Sequence, residues 1–335
     1  NLIYSANKIL TNAYDADEDA DTILDQAESA IFAIADKKVG DGFVSLKTLA
    51  EGSLDTTEKL ASRKELVTGV PTGFSDLDEM TSGLHPGQLI MLAARPAMGK
   101  SALALNIMEN AARATGKWGL FFSLEMGHHE LAQRVLSIEA KIDSKKLRTG
   151  RLEQADWTKI SNAIGRLEVD LLIDENPNVT VMEIRAKARR YKARHGDLGL
   201  IMIDYLQLMT SGRKVESRQL EVSEFSRSLK LLAKELDVPV VALSQLNRGV
   251  ELREDKRPRL ADLRESGAIE QDADIVMFLH RPDAYNPEDR PGLAEIVVAK
   301  HRSGPTGIVN LQWRRESMRF DDYDPLMDGG ATASF

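Results

Sequence analysis

Apolar residues follow two alternating patterns from about residue 66 onward. Short runs rich in Val, Ile and Leu, typical of buried strands, alternate with stretches in which apolar residues recur every three or four positions, typical of amphipathic helices. The runs predict strands at Leu89–Ala93, Gly119–Leu124, Leu171–Asp174, Leu200–Asp204, Val238–Ser244, Ile275–Leu279, Glu295–Ala299 and Ile308–Trp313. The other stretches predict helices at Ser101–Ala114, His128–Ala140, Glu153–Arg166, Met182–His195 and Ser217–Leu236. This alternation favours an α/β fold with a mostly parallel sheet flanked by helices, and short turns late in the chain predict antiparallel hairpins at its end.

The first 65 residues follow a different pattern. Residues 1–14 indicate the end of a helix, and the acidic turn Asp15–Asp21 leads into an amphipathic helix over residues 20–38. Its apolar stripe can pack within its own domain or on a neighbouring subunit, and the pattern favours neither. Residues 40–65 are polar and Gly-containing, which predicts a linker with a short helix near Ser45–Glu51. The expected organisation is an N-terminal helical part over 1–39, a linker over 40–65, an α/β domain over 66–320 and a loose tail over 321–335.

Composition limits the class of protein. The chain has 335 residues, of which 42% are hydrophobic and 29% charged, values typical of soluble proteins with one large domain and an appendage, or with two domains. No apolar run is long enough for a membrane span, and no stretch resembles a signal peptide. The absence of cysteine excludes disulfides, thiolate chemistry and cysteine-ligated zinc.

The net charge of −8 argues at first against a nucleic-acid partner. The acidic residues are concentrated near the start, because residues 1–39 hold eight acidic and three basic side chains. The remainder of the chain is therefore nearly neutral and can still focus positive charge in a cleft or a pore. The charge leaves nucleic-acid binding open.

A candidate phosphate-binding loop separates the strand at Leu89–Ala93 from the helix that follows it. The loop reads Ala94-Arg95-Pro96-Ala97-Met98-Gly99-Lys100-Ser101. Gly99 lets the backbone approach phosphates, Lys100 can reach the β and γ oxygens, and the Ser101 hydroxyl can bind Mg²⁺ beside the positive end of the helix dipole. Ala94 stands in the first glycine position of the motif, where alanine fits only if its φ is negative. The loop predicts binding of ATP with Mg²⁺.

Three predicted strand ends carry side chains that could complete an ATP-hydrolysing site. Asp204 ends an apolar strand, where a carboxylate faces the ligand crevice of a parallel sheet and can hold Mg²⁺ through water. Glu125 follows another strand and can orient or deprotonate an attacking water, or else stabilise the start of the next helix. Gln245 ends a third strand, where its amide can bond the γ-phosphate or simply cap a loop.

Six motifs, taken in order, resemble those of the bacterial replicative DNA helicases of the DnaB type. They are Ala94–Ser101, Ser123–Met126, Ile203–Gln207, Leu243–Arg248, Asp262–Gly267 and Lys300–Pro305. The match spans about residues 66–320, while residues 1–64 resemble the end of that family's N-terminal helical region, its linker helix and its linker. An alanine in the first position of the phosphate loop is a familiar variant there. The resemblance implies a RecA-like P-loop NTPase core preceded by a linker helix.

The same resemblance implies an enzyme that hydrolyses ATP with Mg²⁺ to unwind DNA at the replication fork. It implies a homohexameric ring that encircles one DNA strand, moves 5′ to 3′ and places its ATP sites at subunit interfaces. A primase and a helicase loader, the partners of a primosome, are implied as well, together with a cytoplasmic, nucleoid-associated location in a bacterium and no contact with membranes.

The resemblance also assigns roles to residues. Lys100 and Ser101 would bind phosphate and Mg²⁺, Glu125 would be the catalytic carboxylate, Asp204 the Mg²⁺-linked one and Gln245 the sensor. Arg302 resembles the arginine finger that reaches the γ-phosphate of a neighbouring subunit, with Lys300 beside it. Residues two apart in a strand share a face, so these two basic residues point the same way if the strand continues. From the residues alone, two surface charges on a hairpin would be the preferred interpretation.

Three loops are candidates for contact with single-stranded DNA. Two follow strand ends at positions where RecA-like folds place channel loops, and the resemblance adds the third. Their candidate residues are Arg213 and Lys214 in the first, Arg248 and Arg253 in the second, and Arg264, Glu265 and Gly267 in the third. All three loops lack aromatic residues, so contacts to phosphates explain binding better than base stacking. Ordinary solvated loops are the alternative that charge alone favours.

Two other functions share parts of this pattern. A RecA-like recombination or repair ATPase would have the same loop and strand order, but would not need Arg302 to act on a neighbour. A regulatory module would bind nucleotide without hydrolysing it, and the role of Glu125 separates that alternative from an enzyme.

Overall fold

The computed structural model describes residues 2–15, 23, 26–27, 44–63, 67–210, 218–263 and 267–324. The chain divides into two compact units, Asn1–Glu65 and Leu66–Phe335. Helix α1 spans Leu2–Asp15 and α2 spans Leu46–Arg63 in the first unit. None of the helices in the described ranges has an apolar stretch long enough to cross a bilayer.

Helix α2 is much longer than the short helix predicted near Ser45–Glu51. The prediction gave weight to Gly52, but one glycine costs a helix only about 1 kcal/mol, and the residues after it are good helix formers such as Leu, Glu, Lys and Ala. The helix predicted over residues 20–38 lies outside the described residues except at 23, 26 and 27, which are helical.

The second unit alternates strands and helices. In chain order its elements are α3 (Ser75–Thr81), β1 (Leu89–Ala94), α4 (Lys100–Thr115), β2 (Trp118–Ser123), α5 (His128–Ala140), α6 (Ser144–Thr149), α7 (Gln154–Arg166), β3 (Leu171–Asp174), α8 (Val181–His195), β4 (Leu198–Asp204), α9 (Arg218–Leu236), β5 (Val240–Gln245), α10 (Gly267–Asp272), β6 (Ile275–His280), β7 (Leu293–His301), β8 (Gly307–Arg314) and β9 (Arg319–Asp322). All eight predicted strands and five predicted helices of this unit are present, with ends that agree within two residues.

One sheet joins the nine strands in the order β3-β2-β4-β5-β1-β6-β7-β8-β9. The first six strands of that order are parallel, and the last three continue the sheet as antiparallel hairpins. The mostly parallel sheet and the terminal hairpins are therefore as predicted. Parallel neighbours need crossover connections, because each strand must start again at the same edge of the sheet. The helices in these connections pack on both faces of the sheet.

Strand β9 was not predicted, and it moves the end of the domain. Asp321 and Asp322, expected in a loose tail, pair with β8. The rings of Trp313 and Phe320 face each other across these two strands with centroids 4.5 Å apart, and this contact favours a further strand where composition alone indicated a tail. Residues 325–335 lie outside the described residues.

Strand β1 shows how the core is divided between the two faces of the sheet. Ile90, Leu92 and Ala94 belong to a cluster that includes the buried residues of α4, whereas the alternate residues Leu89, Met91 and Ala93 pack with α8 and α9. The strand is buried along its whole length, as expected for a central parallel strand with both faces covered. It therefore gives the loop after Ala94 a rigid support.

Candidate active site

The parallel strand order brings the phosphate loop, Glu125, Asp204 and Gln245 to one edge of the sheet. In the registers of neighbouring strands, Ser123 lies opposite Asp204 and Ala94 lies opposite Gln245. The loop from Ala94, the segment after β2 that contains Glu125, and the ends of β4 and β5 therefore share the carboxyl edge, where open α/β sheets bind ligands. The edge predicted from strand ends is the one observed.

The phosphate loop turns sharply between β1 and α4. Ala94 is the last residue of β1 and is not among the residues with positive φ, so alanine meets the condition set by the first motif position. The turn is made by Ala97, with φ of 64°, and by Gly99, with φ of 97° at the N-cap of α4. A Cβ atom on Gly99 would lie 3.1 Å from Cζ of Phe320 and 3.4 Å from Cη2 of Trp313. The glycine is required both by its backbone conformation and by the ring packing behind it.

Lys100 begins α4 and already contacts the predicted metal-linked carboxylate. Its Nζ lies 3.1 Å from Oδ1 of Asp204 and 4.4 Å from the centre of the Tyr205 ring. Asp204 is fully buried, and its Oδ2 has no hydrogen-bond partner among the described residues. A buried carboxylate oxygen without a partner is costly, and a cation beside Ser101, the next residue of α4, would satisfy it. The residues present fit Mg²⁺, whose ligands are hard oxygens.

Glu125 and Gln245 lie at the same edge of the sheet, but only Gln245 is held by a hydrogen bond from a neighbouring segment. Glu125 is exposed and makes no hydrogen bond or ion pair within the described part of the chain. The backbone N–H of Gln245 donates to Oε1 of Gln207 at 3.3 Å, and Nε2 of Gln207 donates to Oγ of Ser244 at 2.8 Å. Gln207, which follows β4, therefore fixes the end of β5. The sequence placed Gln207 in a motif without giving it a role, and its position just past Asp204 was the available signal.

Lys300 and Arg302 lie at the opposite, amino edge of the sheet. Lys300 pairs with Val276 near the start of β6, and the backbone N–H of Arg302 donates to the carbonyl of Asp274 at 2.9 Å. Asp274 in turn accepts from the N–H of Leu89, the first residue of β1. The six residues of β1 span about 17 Å between this edge and the phosphate loop. Arg302 is therefore remote from the phosphate loop of its own chain.

Strand β7 ends at His301, before Arg302, and both basic side chains contact the end of helix α10. Nζ of Lys300 donates to the carbonyl of Glu270 and, at 2.7 Å, to that of Ala273. Arg302 donates to the carbonyl of Gln271, and its Nη1 lies 3.7 Å from Oδ1 of Asp274. Burial, with the charge of Arg302, lowers the pKa of the Lys300 ammonium. Carbonyls at a helix C-terminus attract cations in this way.

The loop after β5 is fastened at several points. Nη2 of Arg253 donates to Oδ2 of Asp262 at 2.7 Å and to the carbonyl of Arg257 at 3.0 Å, so this predicted DNA ligand is already engaged. Arg257 in turn forms a double hydrogen bond with the buried carboxylate of Glu295. Arg248 is exposed and unpaired within the described residues.

The other predicted DNA contacts divide between described and undescribed positions. Arg213, Lys214, Arg264 and Glu265 lie outside the described residues, and Gly267 is the exposed first residue of α10. None of these positions tests the predicted contact.

Arg95, predicted only as part of the phosphate loop, turns out to join that loop to the loop after β5. Its Nε and Nη2 donate to Oε1 of Glu251 at 2.8 and 2.7 Å, and its Nη1 donates to the carbonyl of Leu246 at 2.8 Å. Glu251 belongs to none of the six motifs. A contact between residues so far apart in the chain has no local sequence signal.

Comparison with known proteins places this arrangement in a family. A family model described as the DnaB-like helicase C terminal domain matches residues 69–322, most of the chain. The chain belongs to the DnaB-like helicase family. The replicative DNA helicase DnaB of Leifsonia xyli is 49% identical over 97% of this chain and 71% of its own length. The replicative DNA helicase DnaC of Bacillus subtilis is 47% identical over 98% of this chain and 72% of its own length.

Solved structures agree with this family. The structure described as the ATPase domain of G40P superimposes with a TM-score of 0.78 at 40% identity, covering 82% of this chain and 99% of that one. A DnaB-like replicative helicase, studied together with its interactions with primase, gives 0.77 at 37% identity over 96% of this chain and 76% of its own. The DnaB-like chain described here is thus a replicative DNA helicase, an enzyme that couples ATP hydrolysis to DNA unwinding, and its fold is the RecA-like core inferred from the motifs.

Proposed function

We propose that this chain is one subunit of a homohexameric ring that hydrolyses ATP between neighbouring copies and moves 5′ to 3′ along single-stranded DNA. The observation that carries the proposal is the placement of Arg302 and the phosphate loop at opposite edges of one sheet. A single copy cannot bring these two parts together, whereas two copies in head-to-tail contact can.

The nucleotide site uses the carboxyl edge. Amides of the phosphate loop and Lys100 bind the phosphates of ATP, and Ser101 with Asp204 holds Mg²⁺, which when bound neutralises charge that develops on the phosphates. The pairing of Lys100 with Asp204 keeps the ammonium at the mouth of the site before nucleotide arrives. The two carboxylates differ in their surroundings, because Asp204 is buried beside Lys100 while Glu125 is exposed. This difference supports separate tasks for them, Mg²⁺ binding for Asp204 and activation of water for Glu125.

Glu125 orients or deprotonates the attacking water, and Gln245 senses the γ-phosphate. The side chain of Glu125 is free to take either task, since it is exposed at the same edge and unpaired within the described residues. The backbone of Gln245 is held by Gln207, which leaves its side-chain amide free to contact the ligand. A carboxylate and an amide at these places supply the general-base and sensing elements that phosphoryl transfer requires.

Arg302 completes the site of the next subunit. A guanidinium supplied in trans can accelerate phosphoryl transfer by about 10³-fold or more, because it offsets charge that develops in the transition state. Lys300 lies beside it but gives its ammonium to two backbone carbonyls of its own chain. We therefore assign Lys300 the task of holding Arg302 and α10 in place, a narrower role than the catalytic one implied by the resemblance.

Single-stranded DNA contacts the three loops through its phosphates. Arg248 is the described residue best suited to this contact, since it is exposed and unpaired, whereas Arg253 stabilises the loop that carries it. Arg213, Lys214, Arg264, Glu265 and the backbone of Gly267 contribute in the same way. Contacts of this kind are independent of sequence and weaken steeply with salt. A primase, a helicase loader and a nucleoid location in the bacterial cytoplasm complete the proposal by family analogy.

A mixing experiment tests the trans arrangement. Arg302→Ala removes the finger from a subunit whose own phosphate loop is intact, and Lys100→Ala inactivates a phosphate loop in a subunit whose finger is intact. Each variant alone should lose nearly all ATP turnover. Mixed oligomers should recover part of it, because some interfaces pair an intact loop with an intact finger. Turnover by Arg302→Ala subunits alone, or no recovery on mixing variants that assemble together, would contradict a finger in trans.

A further inference from the structure

Arg95 is a cation of the phosphate loop whose side chain donates hydrogen bonds to the loop after β5. Three of its nitrogens donate there: two to Oε1 of Glu251 and one to the carbonyl of Leu246. The backbone N–H of Leu246 also donates to the carbonyl of Ala94, the residue before Arg95, at 3.1 Å. Two consecutive residues at the start of the phosphate loop are therefore tied to the first residues after Gln245.

The loop after β5 carries one predicted DNA-binding residue, Arg248, and is bridged to the segment that precedes the third predicted DNA-binding loop. Glu251 shares the short 3₁₀ helix Arg248–Leu252 with the exposed Arg248, and Val250 anchors that helix in the core. At its base the loop is bridged to the segment before residue 264, through the pairing of Leu246 with Leu263 and a 3.0 Å bond from the N–H of Asn247 to the carbonyl of Asp262. A shift of Arg95 would therefore act on both loops through these hydrogen bonds.

The Arg95 end of the contact is buried, whereas the Glu251 side chain is 44% exposed. Arg95 is only 8% exposed, and Glu251 is its only carboxylate partner within the described residues. Burial, followed by the nearby Glu251 charge, raises the pKa of the Tyr285 phenol. Charges interact strongly where water is partly excluded, and a buried guanidinium is costly once its partner is removed.

We propose that the Arg95–Glu251 pair is the positioning contact through which nucleotide occupancy of the phosphate loop and DNA binding by the loop after β5 influence each other. The phosphates of ATP draw the Arg95 guanidinium towards the nucleotide and loosen its hold on Glu251, and this moves the helix that carries Arg248. By linkage, DNA that fixes Arg248 changes the affinity of the phosphate loop for ATP by the same factor. The inference rests on the proposed function, because it needs ATP and DNA to bind at these two loops.

The test compares two substitutions in one loop, each of which replaces a carboxylate by an uncharged amide of nearly the same shape. Glu251→Gln removes the partner of Arg95, whereas Glu254→Gln makes the same change at an exposed carboxylate that is unpaired within the described residues. For the assembled protein, the affinity for an oligothymidine is measured with and without a non-hydrolysable ATP analogue. ATP turnover is measured with and without the same DNA. Thermal unfolding reports folding, and Arg95→Lys, which keeps the charge but lacks the planar fork of donors, serves as a second variant in the affinity comparison.

For the wild type and Glu254→Gln we expect the analogue to change DNA affinity by about fivefold or more, the lower range for coupled sites. In Glu251→Gln, and in Arg95→Lys, this dependence should disappear. Glu251→Gln should also lose DNA stimulation of kcat while it keeps the basal turnover and the KM for ATP. A merely structural role would lower stability and both affinities together and leave their coupling intact.

The outcomes separate two kinds of failure. If Glu251→Gln keeps the full dependence of DNA affinity on nucleotide, the pair is not the coupling contact, although the proposed function stands. If the wild type binds no DNA, or binds it with no regard to nucleotide while hydrolysing ATP, the proposed function fails at its DNA loops and the inference fails with it.

Discussion

Gly99→Ala is the sharpest test of how the phosphate loop is built. The residue has φ of 97°, and a methyl group there would lie 3.1 Å from Phe320 and 3.4 Å from Trp313. A left-handed backbone costs a residue other than glycine about 1–2 kcal/mol, and displacing packed rings costs about 1–3 kcal/mol more. The variant should therefore lose about 2–5 kcal/mol of stability. Because the strain falls where α4 meets the phosphates, ATP affinity should fall at least about tenfold.

The matched control is Gly116→Ala, at the other end of the same helix. Gly116 also has a left-handed φ, 59°, but a Cβ atom there would meet nothing within 4 Å. The control should show the backbone cost alone and should bind ATP normally. Urea unfolding and titration with a fluorescent ATP analogue measure the two effects, and the difference between the variants, about 1–3 kcal/mol, isolates the ring contact. Equal destabilisation by both substitutions, with unchanged ATP affinity in Gly99→Ala, would refute the reasoning.

Two further substitutions test buried and exposed carboxylates. Burial, followed by the hydrogen-bonded carboxyl of Glu139, raises the pKa of Glu109 to about 8. The folded protein therefore holds a proton that the unfolded chain releases above about pH 4.5. The free energy of unfolding should fall by up to about 1.4 kcal/mol per pH unit between pH 6 and 8. Glu109→Gln should flatten that slope in urea unfolding, and a slope equally steep in the variant would contradict the assignment. Glu125→Gln should bind ATP normally but lose turnover by about 10²-fold or more; undiminished turnover would show that Glu125 is not the base and would favour a nucleotide-binding module.

Strand ends were predictable from the sequence because parallel sheets follow a simple rule. An apolar run that stops at Asp204 or Gln245 places that side chain at the carboxyl edge whatever the order of the strands. The phosphate loop was equally local, since its glycine and lysine adjoin a strand and a helix. The edge of the sheet and its residues therefore followed from patterns within a few residues of each other.

Contacts between distant segments could not be predicted in this way. Arg95 and Glu251 are 156 residues apart, and nothing in either segment specifies the other. Helices α3, α6 and α10 have six or seven residues each, too few to show a helical period. For α6 a capping signal was available, because the side chain of Asp143 accepts from the N–H of Lys145 and Gly150 follows the last turn. Strand β9 depended on the pairing of Trp313 with Phe320, which only the folded hairpin creates.

The separation of Arg302 from the phosphate loop has an arithmetic consequence. If each active site needs the carboxyl edge of one copy and the amino edge of the next, an open row of n copies holds n − 1 complete sites. A closed ring of n holds n, since its last copy also meets the first. Turnover per subunit would then be nearly absent in a monomer, would rise with each copy added to a row, and would rise once more when the row closes. Under the proposed arrangement, ATP consumption would itself report whether the chain of subunits has become a ring.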